Sequence, residues 1–293
     1  MTIRFPIPVS AFCAMALLGA AVTAPAHAKI TRTVDKTFAV QAGGKLNAET
    51  QGGNITVKTE DANEVRIVAT QVIDAATDDA ANKLLEKLTL SLEQKGNEVS
   101  AIASYERPVT KMWGNTPVTV SYTITVPRQF NLQLKTSGGD IRVASVKGVV
   151  NARTSGGNLV FERVDGELEG KTSGGNVSLK EGTARVLLST SGGNMEIDRA
   201  GGPVTASTSG GDIKIQSATE VISATTSGGN ISARLTEPLQ QDSVLRTSGG
   251  NVTVVVPRTT GFMLVASRCA PAGEMSASRQ TKPKPGVALY RPM

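Results

Sequence analysis

The chain has 293 residues and a formal net charge of +6, with 31 Lys and Arg against 25 Asp and Glu, 30 Gly, and only one Trp, three Tyr and six Phe. Its single histidine is His27, so beyond that residue Ser-His-Asp and Cys-His catalysis are excluded, as is the usual histidine-based zinc site. A modest excess of cations, interspersed with anions, favours an anionic partner only weakly and gives no reason to expect nucleic acid.

Residues 1–28 read as a secretory signal. Arg4 supplies a short basic start, Ala11 to Val22 is apolar, and Ala26-His27-Ala28 is a small-x-small cleavage site. The apolar run is too short to span a bilayer, no later segment is apolar enough to do so, and Cys13 lacks the setting of a lipid-anchor cysteine. Cleavage after Ala28 would export a chain beginning at Lys29, to the periplasm or the cell surface. It would carry one cysteine, Cys269, which has no intrachain partner.

From Thr37 to Thr59 the chain reads as a lone repeat: Leu46, Ala48 and Thr50 alternate, Gly52-Gly53-Asn54 bends the chain, and Ile55 and Val57 alternate again. Val65 to Ala69 suggests a strand, Asp78 to Leu88 has helical spacing with Ala80, Leu84, Leu85 and Leu88 on one side, and strands follow at Thr89–Leu92, Val99–Tyr105 and Val118–Val126. Residues 60–128 thus form a strand-and-helix insertion covering one end of whatever follows. The N-terminal region as a whole is 29–129.

The rest is organised by Thr-Ser-Gly-Gly-(Asn/Asp)-apolar, which starts at Thr136, Thr154, Thr172, Thr190, Thr208, Thr226 and Thr247. Five spacings are 18 residues and the last is 21. A fixed period of this size marks stacked coils. Counting each Thr as position 1, apolar residues recur at positions 6 and 8 and again at 15 and 17. Alternation then places positions 15, 17, 1 and 3 on one side. The pattern predicts an all-β, single-chain parallel β-helix (β-solenoid) of about eight two-strand coils, with the repeats over 130–257. Corner glycines would supply a positive φ. Asn54, Asp140, Asn158, Asn176, Asn194, Asp212, Asn230 and Asn251 would stack as a structural ladder. The three extra residues near Glu237-Pro238-Leu239 belong in the looser corner, and Ser243 occupies an expected apolar position. Residues 258–293 hold a degenerate last coil at Gly261–Ala266, acting as a second cap, followed by a tail.

The repeats, the Tyr122-Thr-Ile-Thr-Val-Pro127 strand and the run Leu132-x-Leu134-x-Thr136-Ser-Gly-Gly resemble a bacterial domain family of unknown function. It is usually labelled putative adhesin and is akin to the head-GIN-domain proteins. The resemblance spans about residues 36–266 and implies a single-chain parallel β-helix. It brings no functional residues with it.

Chemistry is sparse. Calcium fits poorly, because only Asp140 and Asp212 put a carboxylate at position 5, against six or more oxygens needed for a site. Glu162, Asp165, Glu167 and Glu169 cluster, yet alternate with Arg163 and Lys171 as a solvated face does; glycoside cleavage wants two carboxylates across a groove. The Gly-Gly pairs lead into strands, unlike phosphate-binding loops that open a helix. No catalytic residue, metal ligand or cofactor is expected. One binding candidate remains: Lys135, Arg153 and Lys171 each precede the repeat Thr in successive coils and would form a basic stripe for an anionic envelope polymer. The expected function is a non-enzymatic exported envelope protein, binding in an adhesin-like way through its flat faces. The alternative is a periplasmic scaffold that self-associates or binds envelope polymers, and a polysaccharide-acting enzyme comes third.

Overall fold

The structure, a computed structural model, describes residues 29–106, 117–238 and 241–257. The expected signal peptide, Trp113, Leu239, Cys269, the Gly261–Ala266 coil and the tail lie outside these residues.

Strands β1 (Lys29–Ala39), β2 (Gly44–Glu49), β3 (Ile55–Glu60) and β4 (Glu64–Asp74) precede helix α1 (Asp78–Leu85). A hairpin of β5 (Leu88–Lys95) and β6 (Glu98–Tyr105) follows, turning at Gly96 with φ +60°, and then β7 (Val118–Pro127). Short strands then alternate: β8 (Phe130–Lys135), β9 (Ile141–Val143), β10 (Val146–Lys147), β11 (Val150–Arg153), β12 (Leu159–Asp165), β13 (Leu168–Lys171), β14 (Val177–Gly182) and β15 (Val186–Ser189). The series ends with β16 (Met195–Ala200), β17 (Val204–Ser207), β18 (Ile213–Ala218), β19 (Ile222–Thr226), β20 (Ile231–Leu235), β21 (Val244–Thr247) and β22 (Val252–Val255).

Two sheets result. One runs β1-β4-β7-β3-β9-β12-β14-β16-β18-β20-β22, with β10 attached to β12; the other runs β5-β6-β2-β8-β11-β13-β15-β17-β19-β21. Within the repeats every pairing is parallel and shifted by one period, as in Val150 with Leu168 and Leu159 with Val177. This is the expected β-solenoid. Among the described residues, only β1–β4, β4–β7 and β5–β6 are antiparallel.

The insertion does more than cover an end. Strands β6 and β7 pair parallel to β2 and β3, forming a further coil on the far side of the first repeat, and the chain then returns to lay β8 along the other edge of β2. The first repeat is therefore sandwiched between coils that follow it in sequence. Beyond this extra coil, α1 starts at Thr77, whose Oγ1 accepts from the Ala80 amide, and buries Ala81; Arg32 of β1 reaches Asp78 and Asn82 on it. The helical spacing stops short of Leu88, which opens β5, and the helix turns Ala81 inward instead of Ala80.

The core is a set of columns. Position 6 supplies Ile141, Leu159, Val177, Met195, Ile213 and Ile231; position 15 supplies Val150, Leu168, Val186, Val204 and Ile222, all buried. Small and large residues compensate between layers. A Cβ on Gly170 would meet Leu188 Cδ2 at 2.7 Å and Phe161 Cε2 at 3.3 Å, so those two side chains occupy the space the glycine leaves. Position 3 departs from the expected alternation: Gly138, Gly156 and Gly174 are exposed, and the glycines at position 4 turn inward. A further inward column, unforeseen from sequence, is Val146, Val164, Gly182, Ala200 and Ala218 at position 11, where the chain bends back towards the second sheet. The inserted coil is irregular, as Ser243 implies. Its Oγ accepts from the Ile222 amide at 2.9 Å, standing in for the backbone carbonyl that serves Val204 one coil earlier.

At the head of the position-6 column stands Tyr122, 1% exposed, with a hydroxyl that has no hydrogen-bond partner among the described residues. Burial pushes its ionisation upward. A buried unpaired hydroxyl costs about 1–3 kcal/mol. The Tyr122→Phe variant is accordingly expected to unfold at higher urea concentration than the parent, and a lower midpoint would contradict this account.

Candidate functional site

The repeated motif forms one edge of the solenoid, where its side chains serve the backbone of the neighbouring coil. Thr172 Oγ1 donates to the Gly157 carbonyl of the preceding coil at 2.8 Å and accepts from its own Gly175 amide at 3.3 Å. The same two bonds recur at Thr136, Thr154, Thr190, Thr208, Thr226 and Thr247. From Thr50 to Thr226 these threonines are only 1–7% exposed. A hydroxyl that donates and accepts at once satisfies two buried backbone groups that would otherwise be orphaned.

Position 5 does the same from outside. Asn54 Oδ1 accepts from the Asp140 amide, Asp140 from Asn158, Asn158 from Asn176, Asn176 from Asn194, Asn194 from Asp212, Asp212 from Asn230, and Asn230 from Asn251, at 2.6–2.9 Å. These eight residues form one continuous column. Where the acceptor is aspartate, the Asn158 and Asn230 side-chain amides also donate to it, at 3.1 and 3.2 Å. The column ends at β7, where Ser121 Oγ accepts from the Asn54 amide and Thr50 Oγ1 donates to the Val120 carbonyl.

The glycines have a steric reason, not the conformational one expected. Positive φ occurs, among the described residues, only at Gly43, Gly96 and Gly148, none of them in the motif. At position 4 a Cβ on Gly139, Gly157, Gly175, Gly193, Gly211 or Gly229 would overlap the carbonyl of the glycine one coil back. At position 3 there is room: a Cβ on Gly174 would meet Gly156 O at 3.7 Å, an ordinary contact.

The outer faces carry charge in alternating ladders. Arg163 sits between Asp165, at 3.0 Å, and Glu181, at 2.8 Å; Glu181 also meets Arg199, and Glu196 pairs with Lys214 at 2.9 Å. Strand register brings Lys135, Arg153 and Lys171 side by side on the second sheet. Lys135 is 2.5 Å from Glu49 and Arg153 is 2.7 Å from Glu169, while Lys171 has no ion pair among the described residues. The partner Glu49 lies 86 residues from Lys135 and could not be read from repeat spacing.

The acidic cluster is likewise distributed among cations: Asp165 to Arg163, Glu167 to Arg185 at 3.6 Å and Glu169 to Arg153. Among the described residues no group of three or more His, Cys, Asp or Glu converges as metal ligands. The Asp140 carboxyl is held below the usual carboxylate range, chiefly by the Asn158 amide and then by Arg142 at 2.7 Å. Lys214 lowers Glu196 in the same way.

Two predictions follow from this edge. Gly174→Ala should be tolerated or raise stability by about 0.4–1 kcal/mol through the unfolded chain, whereas Gly175→Ala should cost at least about 2 kcal/mol, both read as shifts in urea midpoint. Equal effects would refute the steric reading. For Asp140, a lowered folded-state pKa contributes stability that is present above the unfolded value of about 3.9 and is lost as pH falls through the folded value. Asp140→Asn keeps the Oδ1 acceptor, so between about pH 4 and pH 2 its melting temperature should fall less than the parent's.

A family profile described as Toastrack DUF4097 matches residues 44–264. No curated protein matches the chain. Similar solved structures include a putative adhesin from Bacteroides fragilis, 20% identical, covering 77% of this chain and 97% of its own with a TM-score of 0.48. A putative adhesin from Parabacteroides distasonis is 13% identical over 77% and 97%, with a TM-score of 0.43. A putative lipid binding protein from the same organism is 17% identical over 78% and 92%, with a TM-score of 0.45. The match over most of the length, joined to the stacked parallel coils, shows that the chain belongs to the Toastrack DUF4097 family.

Proposed function

We propose that this is a non-enzymatic, exported cell-envelope protein that binds extended partners through the flat outer faces of its solenoid, in the manner of an adhesin. One observation carries the reading. The motif groups repeated along the stack are engaged between neighbouring coils, while the outward positions of the same coils vary freely, as in Arg142, Val160, Ser178, Glu196, Lys214, Ser232 and Thr253 at position 7. A constant frame presenting variable faces is how repeat proteins build binding surfaces. Among the described residues no helix is long and apolar enough to cross a membrane.

The basic column is the part of that surface proposed to meet an anionic envelope polymer. Among the described residues Lys135 is ion-paired with Glu49 and Arg153 with Glu169, and Lys171 is not paired, which leaves a local excess of positive charge. A self-associating periplasmic scaffold is the second reading, favoured by β21 and β22 standing, among the described residues, at the ends of the two sheets.

Protease treatment of intact cells separates the two readings. Loss of the protein while a periplasmic control survives is expected for the adhesin-like role; protection until the outer membrane is permeabilised would replace it with the scaffold. For the ligand, the Lys135→Glu, Arg153→Glu, Lys171→Glu triple variant should lose binding to vesicles containing lipid A at low salt. Unchanged binding would remove the column from the surface.

A further inference from the structure

The basic column does not end at Lys171. Strand register continues it through Ser189, Ser207 and Thr225 to Arg246, each one coil further along the second sheet. From Lys135 to Arg246 the column holds four cations and three hydroxyls and no carboxylate. At about 4.8 Å per coil it forms a line about 29 Å long. The outer columns of the first sheet differ: Glu196 interrupts position 7, and Glu162 and Asp198 interrupt position 9. A second row runs beside the line. Two residues on from each of its members, past the inward Thr, stands the exposed serine of position 2, from Ser137 to Ser248, followed by an exposed glycine. Position 7 of the same coils varies freely, yet this serine does not, and packing does not require it.

We infer that the two rows are one track, and that its ligand is an acidic glycan, a linear chain of uronic acid sugars laid along the stack. The inference rests on the basic column being a binding surface, as proposed above, and adds the class and direction of the ligand.

The arrangement selects this chemistry. Cations in single file require a ligand whose charges are also linear; a compact lipid headgroup would use one end of the track and leave the rest idle. Lys and Arg only donate, which suits carboxylates, while Ser and Thr hydroxyls donate and accept, which suits sugar hydroxyls. One pyranose of a 1,4-linked chain is about as long as one coil is thick, so successive sugars stay in step with successive coils. The aromatic residues of this sheet, Tyr105 and Phe130, are buried, so the bases of a single-stranded nucleic acid would find no ring to stack on. The existing ion pairs do not block the track. Lys135 and Arg153 are 62% and 57% exposed in their pairs with Glu49 and Glu169, and pairs so solvated contribute little, so a ligand carboxylate can replace the protein's own. Glu49, which follows Lys135 in the column, closes the track on the N-terminal side.

Calorimetric titration of the full-length protein with oligogalacturonates of about three and about seven sugars, at low salt, tests the track. The longer chain should bind at least tenfold tighter than the shorter, and its fully methyl-esterified form should not bind. Ser207→Glu, within the uncharged stretch, should weaken the longer chain at least fivefold, and Ser207→Lys should strengthen it. Arg234→Glu, at an exposed cation of the first sheet, should alter it less than twofold. Equal affinity for the two lengths, or indifference to both Ser207 substitutions, overturns the inference. Weakening by Arg234→Glu as large as by Ser207→Glu overturns it too, and assigns the binding to net charge. Lipid A vesicles separate this failure from that of the basic column. If vesicle binding still depends on Lys135, Arg153 and Lys171, the column stands and only the glycan track falls; if it does not, both fall.

Discussion

The fold depends on how closely two backbones approach at the Gly-Gly corner. Parallel strands stack about 4.8 Å apart, and at the corner one peptide lies directly over another with no space for a Cβ. Close approach makes glycine obligatory at position 4, and it also buries amide and carbonyl groups away from water. Those groups need partners small enough to stay within the layer. Threonine supplies one hydroxyl that serves a glycine amide in its own coil and a carbonyl in the preceding one. Asparagine supplies an oxygen for the amide above. A single steric constraint thus selects three of the five motif residues. It does not select the serine at position 2 or the glycine at position 3, which are exposed, and nothing in the packing explains why those two recur.

This separation accounts for what was legible in the sequence. The columns at positions 6, 8, 15 and 17 were visible because strand periodicity is two and the residues are large. Position 11 was not, because Gly182, Ala200 and Ala218 have the look of a loop, although they fill the tight second bend. The corner glycines were recognised for the wrong reason: glycine usually signals positive φ, and only coordinates distinguish a forbidden Cβ from a left-handed backbone. The coil formed by β6 and β7 carries no Gly-Gly-Asn, and it pairs with strands that precede it by some 50 to 70 residues, so no local pattern could announce it. Among the candidate site residues, the three cations and the six of the Asn/Asp column from Asp140 to Asn230 were placed in line by the 18-residue period, and Asn54 and Asn251 by the motif they share with them. Glu49, which meets Lys135, belongs to the first repeat beyond the insertion and was out of reach of that argument.

Charge on the outer faces obeys the same geometry. In-register stacking puts residue i beside residue i+18, and like charges there would repel along the whole column. The ladders Arg163–Glu181–Arg199 and Glu196–Lys214 avoid this by alternating sign. These pairs are largely solvated, so each contributes little to stability. Their effect is on the surface field, which varies over a few ångströms and has no long single-sign stripe on the first sheet. The basic column on the second sheet departs from that rule, with three adjacent cations, Lys135, Arg153 and Lys171.

The ends decide what kind of assembly is open to the protein. A head-to-tail filament needs two complementary ends, one presenting parallel edges and the other able to receive them. At the N-terminal end β4 is antiparallel to β7 and the outermost strand β1 runs parallel to β7 again, but β1 carries Lys29, Arg32, Asp35 and Lys36, charges that oppose strand addition. Those charges disfavour a head-to-tail contact, whereas two C-terminal ends joined about a two-fold axis would close at a dimer.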